Sequence, residues 1–520
     1  MNNVIQMRQL LGKGKDGEIY ECVYMGKRCA AKKYGLSKSG MGRELLRETS
    51  FLKNVKHDNI VNVIDVVTVN YDAYIILELM DGSLIDALKK VNSEKDIDVL
   101  IDQMVQGMSH IHKLGYIHGD LSIGNIMVKN KKIKLIDGSR SVKIHRDIII
   151  HRPTSYIASP EVVNYSDIDP IKMDMWAFGC IIYFIQTKNI LFMGSDYVKQ
   201  IDEIENKIGS IEYNAPIKID TNNFQTLTSH TIKPIKRGNI KKILTKNEIK
   251  RNVKISHMLN LNHLKRQKLV EFNELQIVKT IKNNIYRYIP TNKINDIIGL
   301  LININIALLL PFESIFITLN NIFRIMNMSD EKILLNDEIV VLHKMSIVVS
   351  TDYDVTNKHI FNFIKSEFCD DVKILNIELE LLDKLEWNID PISCYDCIGK
   401  YKIIRPYFEI VMLLCCFSIE FLAMNADYKL KIIVNLLKVI LNEKLNIDHT
   451  YFKFQNKFDV TLFANIVANI NHLLTSKYLY VFLMCTIKKY IEVINYEKYL
   501  MEIISKCGVL RNLLIEFDKN

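Results

Sequence analysis

The chain has 520 residues, enough for roughly two to four domains, each with its own hydrophobic core. Apolar residues make up 48% and charged residues 24%, which is typical of a soluble globular protein and excludes a disordered or fibrous one. No charged and then apolar leader opens the chain. Its most apolar run, residues 297–312, is shorter than the roughly 20 residues of a membrane-spanning helix and is interrupted by Asn303 and Asn305. We therefore expect a soluble intracellular protein, in the cytoplasm or nucleus (a host cell's included), with no membrane partner.

The net charge of +9 is concentrated in one basic segment. Residues 231–280 contain 13 Lys and Arg against 3 Asp and Glu. Such a segment can dock an acidic partner or nucleic acid, or it can be a solvated insertion. No aromatic residues alternate with the charges, as they do where single-stranded bases stack. The solvated insertion is therefore favoured, and we expect no nucleic-acid partner.

The ten cysteines are spread over the whole chain. Cys394 and Cys397 form one CxxC pair, but no second Cys or His pair follows at zinc-finger spacing. Reduced thiols are favoured over a structural zinc site.

Three glycines lie between β-type residues near the amino terminus, in the run Leu11-Gly-Lys-Gly-Lys-Asp-Gly-Glu-Ile19. Glycines allow the backbone to approach phosphate oxygens because they carry no Cβ. A Rossmann turn has the same spacing, but it opens a helix and leads to an acidic ribose ligand about 20 residues later. Here the chain continues as a strand, turns at Gly26 and forms a second strand that ends at Lys32. This order favours a hairpin over a nucleotide, followed by a lysine that reaches its phosphates.

A second polar motif is the stretch His118-Gly-Asp-Leu-Ser-Ile-Gly-Asn125, with Asp137 at the end of the next apolar run. Asp120 can accept a hydroxyl proton, while Asn125 and Asp137 can hold a metal. Phosphoryl transfer needs such a set, because its transition state requires positioning and charge neutralisation more than covalent chemistry.

Together these motifs resemble a eukaryotic-type protein kinase over residues 5–211. The same order holds for the helix around Glu48, the run Lys56-His-Asp-Asn-Ile-Val61, the apolar strand Ile75–Met80, Ser159-Pro-Glu161 and the run Asp174-Met-Trp-Ala-Phe-Gly179. That last run resembles the helix whose Asp braces the catalytic loop through its backbone N–H groups. The resemblance implies an α+β bilobal fold over residues 1–285, with a β-rich N-lobe (1–80) and a helical C-lobe (81–285) that includes a divergent basic segment (212–285).

The resemblance also implies the roles of the site residues. Asp120 would orient the substrate hydroxyl and accept its proton, Lys32 would hold the α- and β-phosphates of ATP, and Glu48 would hold Lys32. Asn125 and Asp137 would bind Mg²⁺. Nucleotide-binding positions would be Leu11, Gly12, Gly14, Gly17, Ile19, Ala30, Lys32, Glu78 and Met80 (both through their backbone), and Met127, with Leu77 as gatekeeper.

The motifs indicate a cyclin-dependent-kinase-like enzyme acting on protein serine and threonine. Residues 190–196 and 207–210 are similar to stretches of that group, and Leu45-Leu-Arg-Glu48 takes the place of its cyclin-gripping helix. Thr154, upstream of Ser159-Pro-Glu161, favours Ser/Thr over Tyr substrates.

The chain departs from the kinase pattern at several positions. Gly119 and Ser122 replace the Arg and Lys of the catalytic loop, and Gly138 replaces the Phe after the metal-binding Asp. Ile149 stands in place of the activating Thr, and Lys15 and Asp16 in place of inhibitory Thr and Tyr, so we expect no switching by phosphorylation at either place. Loss of the loop Lys can reduce the rate by on the order of 10²–10³, by analogy with oxyanion-hole donors.

The last third of the chain has helical periodicity throughout. Residues 311–324 and 374–391 place apolar residues at i, i+3 and i+4, which predicts core helices of an all-α bundle. They also resemble helices of a cyclin box, which implies a cyclin box at 286–400 and a second cyclin-like repeat at 401–520. Glu378 fits the box glutamate, whereas its lysine partner, expected near Ser350-Thr-Asp352, is missing.

These resemblances imply a kinase with its cyclin-like activator fused in cis, so that docking is intramolecular and the other partners are protein substrates. The alternative is a pseudokinase scaffold that binds cell-cycle or transcription regulators through its helical part.

Overall fold

The computed structural model describes residues 5–14, 17–36, 41–70, 72–91, 93–145, 155–163, 169–208, 258–260, 291–308, 313–328, 334–351 and 371–391, with single residues elsewhere. The chain forms two compact units. The first comprises Met1–Gly35, Arg47–Ile144 and Ile148–Phe272, and the second comprises Leu36–Leu46, His145–Asp147 and Asn273–Asn520.

The first unit begins with a five-stranded antiparallel sheet of order β1-β2-β3-β5-β4. Its strands are β1 (Gln6–Gly14), β2 (Gly17–Tyr24), β3 (Lys27–Gly35), β4 (Val63–Val69) and β5 (Asp72–Glu78). Alternate residues of β2, β3 and β5 bury one apolar layer, which contains Cys22, Tyr24, Cys29, Ala31, Tyr74 and Ile76. The predicted hairpin that turns at Gly26 is confirmed by the antiparallel pairing of β2 with β3.

The helix α1 (Arg43–Asn54) lies between β3 and β4 in the chain. Its apolar residues recur at helical spacing, and Leu45, Leu46, Phe51 and Leu52 are buried. Glu44 in its first turn and Lys53 in its last turn match the direction of the helix dipole.

Where the structure describes it, the rest of the first unit is mainly helical. Its helices are α2 (Leu84–Lys89), α3 (Glu94–Lys113), α4 (Pro160–Val163), α5 (Pro170–Thr187) and α6 (Tyr197–Lys207). Ser83, Ser93, Asp169 and Asp196 accept backbone N–H bonds at the starts of α2, α3, α5 and α6, which is why these helices begin there. The expected order of a β-rich N-lobe and a helical C-lobe is confirmed.

Short strands carry the polar motifs of the C-lobe. They are β6 (Gly82–Ser83), β7 (Tyr116–Ile117), β8 (Ile126–Lys129), β9 (Lys132–Leu135) and β10 (Val142–Lys143). The β8–β9 hairpin joins β6, and β10 pairs with β7. Residues 118–125 therefore connect β7 to β8, while Asp137 lies just beyond β9.

The second unit contains α7 (Thr291–Leu308), α8 (Glu313–Met328), α9 (Asn336–Ser350) and α10 (Asp371–Lys384). Every residue of α9 from Ile339 to Ser350 is buried, so this helix is a core element of the second unit. The helical character expected after residue 280 agrees with these four elements. Most of the predicted second repeat (401–520) lies outside the described residues, as does most of the basic segment 231–280.

No helix within the part of the chain described above is long and apolar enough to cross a membrane.

Candidate active site

Lys32, Glu48 and Asp137 come together in the first unit, although 105 residues separate the first from the last. Lys32 Nζ is 2.8 Å from Glu48 Oε2 and 2.9 Å from Asp137 Oδ1. Tyr34, two residues further along β3, donates its hydroxyl to the same oxygen of Glu48. Burial alone would lower the pKa of Lys32, but the two carboxylates outweigh it and raise this pKa above its usual value. Lys32 is therefore a fixed positive charge.

Asp137 is an ionised carboxylate next to this cation. Burial would raise its pKa, but the charge and hydrogen bond of Lys32, with a further bond from Ser139, hold the pKa below its usual range. The backbone of Asp137 adopts a φ of +66°, an uncommon conformation for a residue with a side chain. Such strained backbone is found most often at functional sites.

The loop that carries Asp120 is held by Asp174 of α5. The backbone N–H groups of His118 and Gly119 donate to the two carboxylate oxygens of Asp174, at 2.7 and 3.1 Å. His112 Nε2 lies 3.1 Å from the same carboxylate. Asp174, His112 and His118 are buried, which makes these charge-assisted hydrogen bonds strong. In this geometry Asp174 braces the loop through the loop's backbone N–H groups, as the resemblance implies.

The Asn125 side chain has its amide oxygen as the remaining acceptor. Its Nδ2 donates to the carbonyl oxygen of Asp120 at 2.8 Å, which leaves Oδ1 as the acceptor of this side chain. Among the residues that the structure describes, no group of three or more His, Cys, Asp and Glu could hold a metal ion. An amide oxygen, one carboxylate and the phosphates of a nucleotide are nevertheless a set that suits Mg²⁺, which keeps few protein ligands.

Ser122, at the position of the missing lysine, has a structural role. Its hydroxyl accepts the backbone N–H of Asn125 at 3.3 Å and so caps the 3₁₀ turn Ile123–Asn125. This contact orients the Asn125 backbone but brings no positive charge to the loop.

A cation reaches the loop from another residue. Arg140 Nη1 is 3.3 Å from Asp120 Oδ2, and both side chains are largely buried. Sequence reasoning gave Arg140 no role, because it lies three residues beyond Asp137 and outside every motif used.

Gly138, which replaces an expected phenylalanine, faces an aromatic ring from elsewhere. A Cβ built on Gly138 would lie 2.3 Å from Cδ1 of Phe51 in α1. Phe51 is buried and meets Tyr116 edge-on, with ring centroids 5.6 Å apart. The space beside Gly138 is therefore already filled by Phe51.

The positions that the resemblance assigns to nucleotide binding lie on or beside strands of the first unit. Leu11, Gly12 and Gly14 are on β1, Gly17 and Ile19 on β2, Ala30 on β3, Met127 on β8, and Met80 just beyond β5. Gly17 has to be glycine, because its φ is +148° and a Cβ would lie 2.4 Å from the carbonyl oxygen of Lys33. Lys15, Asp16, Ile149 and Thr154 lie outside the described residues.

Glu78 has both a backbone and a side-chain role. Its N–H donates to Asn62 O at 3.1 Å, and the resemblance implies that its backbone would bind adenine. Its carboxylate lies 2.8 Å from Lys134 Nζ and 3.3 Å from Lys129 Nζ, which ties the end of β5 to the β8–β9 hairpin.

Arg266 is a residue that sequence reasoning missed inside the basic segment. Both terminal nitrogens of its guanidinium donate to Glu161, at 2.5 and 2.7 Å, and the guanidinium carbon lies over the Trp176 ring, 4.9 Å from its centroid. Neither side chain of the ion pair is exposed by more than 3%. Arg266 therefore fixes the start of α4, and at least this part of the basic segment is core rather than a solvated insertion.

Comparison with known proteins agrees with this geometry. The family model described as the protein kinase domain matches residues 5–269. The chain is 30% identical over 212 residues to cell division control protein 2 homolog 3 of Trypanosoma brucei brucei, covering 39% of this chain and 68% of that relative. It is also 30% identical over 212 residues to a probable cell division protein kinase of Encephalitozoon cuniculi, covering 39% and 78%.

A third relative is matched over a smaller share of its length. The chain is 28% identical over 200 residues to a probable serine/threonine-protein kinase of Encephalitozoon cuniculi, covering 38% of this chain and only 39% of that protein.

Proposed function

Because this chain belongs to the protein kinase domain family, we propose that it transfers the terminal phosphoryl group of ATP to serine and threonine residues of proteins. The family match and the names of the relatives support a protein serine/threonine kinase. The observation that carries the proposal is that the carboxylates of Glu48 and Asp137 both lie within 2.9 Å of the Lys32 ammonium group. A pairing of this lysine with this glutamate, beside the metal-binding carboxylate, is what phosphoryl transfer by a protein kinase requires.

Each member of the site has one task in this proposal. Lys32 binds the α- and β-phosphates, and Glu48 and Tyr34 keep its ammonium group in place. Asp120 accepts a hydrogen bond from the substrate hydroxyl and holds its proton as the phosphoryl group is transferred. Mg²⁺ held by Asn125 Oδ1 and Asp137 would neutralise charge on the phosphates. The carbonyl of Glu78 and the backbone of Met80 would bind adenine.

We propose further that the second unit is a cyclin-like domain that activates the kinase in cis. Its support is a buried ion pair between Lys344 of α9 and Glu378 of α10, which are both completely buried. The expectation that this glutamate has no lysine partner is thus wrong, since the lysine lies on α9 six residues before the predicted place. Glu378 Oε2 also accepts the backbone N–H of Met41, at 2.9 Å.

Met41 belongs to the second unit, as do the first four residues of α1, the helix that carries Glu48. A second fixed point in this unit is His145, whose Nε2 lies 3.1 Å from Glu313 Oε1 and whose Nδ1 lies 3.5 Å from Asp396 Oδ1. Contacts that hold the entry to α1 would favour the conformation in which Glu48 meets Lys32, a shift between two states. Fusion in one chain keeps the effective concentration of such a domain at about millimolar levels.

The enzyme proposal is tested by incubating the purified full-length protein with γ-labelled ATP, Mg²⁺ and a mixture of Ser, Thr and Tyr peptides. Lys32→Met serves as the inactive variant. Transfer to Ser and Thr peptides by the wild type alone supports the proposal. Nucleotide binding without transfer by the wild type would overturn it in favour of the scaffold.

The cis proposal is tested by diluting the enzyme and by substituting Glu378. Specific activity should stay constant on dilution, because no second molecule is needed. Glu378→Gln should lower kcat by about 10-fold or more, since hydrogen bonds to a charged group contribute about 1.5–3 kcal/mol. The matched control is Glu380→Gln on the same helix, which removes only an exposed pair with Lys384. Equal activity of both variants would contradict the cis proposal.

A further inference from the structure

The catalytic loop carries no lysine, but a guanidinium lies at its carboxylate. Arg140 Nη1 is 3.3 Å from Asp120 Oδ2, with 16% of the Arg140 side chain and 12% of the Asp120 side chain exposed. An ion pair exposed to solvent would interact only weakly, because water and salt screen its charges. This pair is mostly shielded from water and includes the residue expected to hold the substrate hydroxyl, so its charge acts where the reaction takes place.

The local backbone fits this position of Arg140. Gly119 has a φ of +77°, and a Cβ on it would lie 2.4 Å from the carbonyl oxygen of Arg140. Ser141 N–H donates to Gly138 O at 3.0 Å, and Ser141 Oγ donates to His118 O at 3.1 Å. The turn 138–141 is thus packed directly on the loop 118–120. The glycine that replaces the usual loop arginine is what allows this close approach.

The two departures of the loop are therefore related to Arg140. Ser122 cannot bring charge to a phosphoryl group, since its hydroxyl caps the turn at Asn125. With Gly119 in place of the usual arginine, the loop lacks that arginine, and the absence of a Cβ leaves room for the backbone of Arg140. The net result is a permanent cation beside Asp120, contributed by the segment that follows the metal-binding carboxylate.

We propose that Arg140 is a catalytic residue that takes over the task of the absent loop lysine, donating hydrogen bonds to the transferred phosphoryl group while it stays beside Asp120. This inference rests on the proposed kinase activity. In the step, the bond between the β,γ-bridging oxygen and the γ-phosphorus breaks, and the bond from the substrate hydroxyl oxygen to that phosphorus forms. The hydroxyl proton passes to Asp120 and ADP leaves. A planar guanidinium with five donors can bond a carboxylate and a phosphoryl oxygen at once.

The opposite role would be inhibition, in which Arg140 blocks Asp120 until substrate displaces it. The two roles predict changes of opposite sign in kcat when the guanidinium is removed.

The experiment compares wild type, Arg140→Ala, Arg140→Lys and the double variant Arg140→Ala/Ser122→Lys under saturating ATP and peptide. Arg140→Ala should lower kcat by on the order of 10²–10³, as loss of one transition-state donor does, with little change in the Kd for ATP. Arg140→Lys should retain part of the rate. Ser122→Lys should restore at least about tenfold to the Ala variant, because it returns a cation to the loop.

Ethylguanidine at millimolar concentration should also increase the rate of Arg140→Ala and leave the wild type unchanged, which a purely structural role would not produce. Arg28→Ala is the control, because Arg28 is exposed on β3 and pairs with Glu21. A kcat of Arg140→Ala equal to or above that of the wild type would overturn the inference while the proposed kinase activity stands. If the Ala variant fails to fold, the Arg140→Lys variant and its kcat decide the same question. Absence of transfer by the wild type itself would instead refute the proposed function.

Discussion

Phe51 of α1 occupies the space that a side chain at position 138 would need, with its Cδ1 only 2.3 Å from where a Cβ on Gly138 would lie. Kinases of the group that this chain resembles carry a phenylalanine after the metal-binding aspartate. Here the aromatic ring beside that position comes from the helix that also carries Glu48. The absence of a ring at residue 138 and the presence of the Phe51 ring beside it are thus one packing arrangement.

We predict that substitutions at these two positions compensate each other. Gly138→Phe alone should overpack the site and Phe51→Ala alone should leave a cavity, the latter at a cost of about 3–5 kcal/mol. The double variant should be more stable than the sum of the two by at least about 1 kcal/mol, because the new ring enters the vacated space. Urea unfolding of all four proteins measures this coupling. Additive effects would show that the two positions do not share one space.

A second prediction concerns the buried pair of Glu161 and Arg266. Arg266→Met should destabilise the protein by about 3–5 kcal/mol, because it leaves the Glu161 carboxylate buried without its partner. The matched control is Lys199→Met, which breaks an exposed pair with Asp196 and should change stability by less than about 1 kcal/mol. Thermal or urea unfolding monitored by fluorescence distinguishes the two. Equal small effects would mean that Arg266 is not part of the core.

A third prediction concerns pH and the second unit. His343 is completely buried, and burial lowers its pKa to about 3. Its ring nitrogens lie 2.7 Å from Thr318 Oγ1 and 2.7 Å from Asn305 Oδ1, partners that suit a neutral ring. The folded pKa lies below the unfolded value of about 6.5, so the unfolded chain binds the extra proton between pH 6.5 and 3. Stability contributed by this site should therefore fall on acidification, by about 1.4 kcal/mol per pH unit.

The measurement uses the two tryptophans of the chain, Trp176 in the first unit and Trp387 in the second. In a Trp176→Phe background, urea unfolding followed by Trp387 fluorescence reports on the second unit. The protein should lose about 2–3 kcal/mol between pH 6.5 and 4.5 through His343, and His343→Gln should show a slope smaller by that amount. The same slope in both proteins would refute the assignment of this histidine.

Much of the site could be predicted from the sequence because its motifs are local. Lys32, Asp120, Asn125 and Asp137 follow short runs whose backbone geometry is set by neighbouring residues, and the structure brings Lys32 and Asp137 to 2.9 Å. Helical spacing predicts the helix around Glu48, and the resemblance to protein kinases implies that this residue pairs with Lys32. The resemblance therefore supplied the long-range relation between residues that the local motifs do not contain.

The residues that were missed act through contacts distant in sequence. Phe51 and Gly138 are 87 positions apart, and Arg266 and Glu161 are 105 apart, so neither pair leaves a periodic signal. Arg140 reaches Asp120 because Gly119, on another loop, allows the backbone of Arg140 to approach closely. The expectation that Glu378 lacks a lysine partner considered only residues 350–352, whereas Lys344 pairs with it from nearly two turns earlier on the buried helix α9. In each case the missing information was tertiary packing rather than local propensity.

Asp120→Asn tests the central claim most directly, because it removes the carboxylate that would hold the substrate proton and keeps its size. In single-turnover assays with labelled ATP, Mg²⁺ and a Ser/Thr peptide, transfer should fall by about 10²–10⁴-fold, while the Kd for ATP changes by no more than about twofold. Full transfer by Asp120→Asn would contradict the assignment of Asp120 and with it the mechanism proposed for this site.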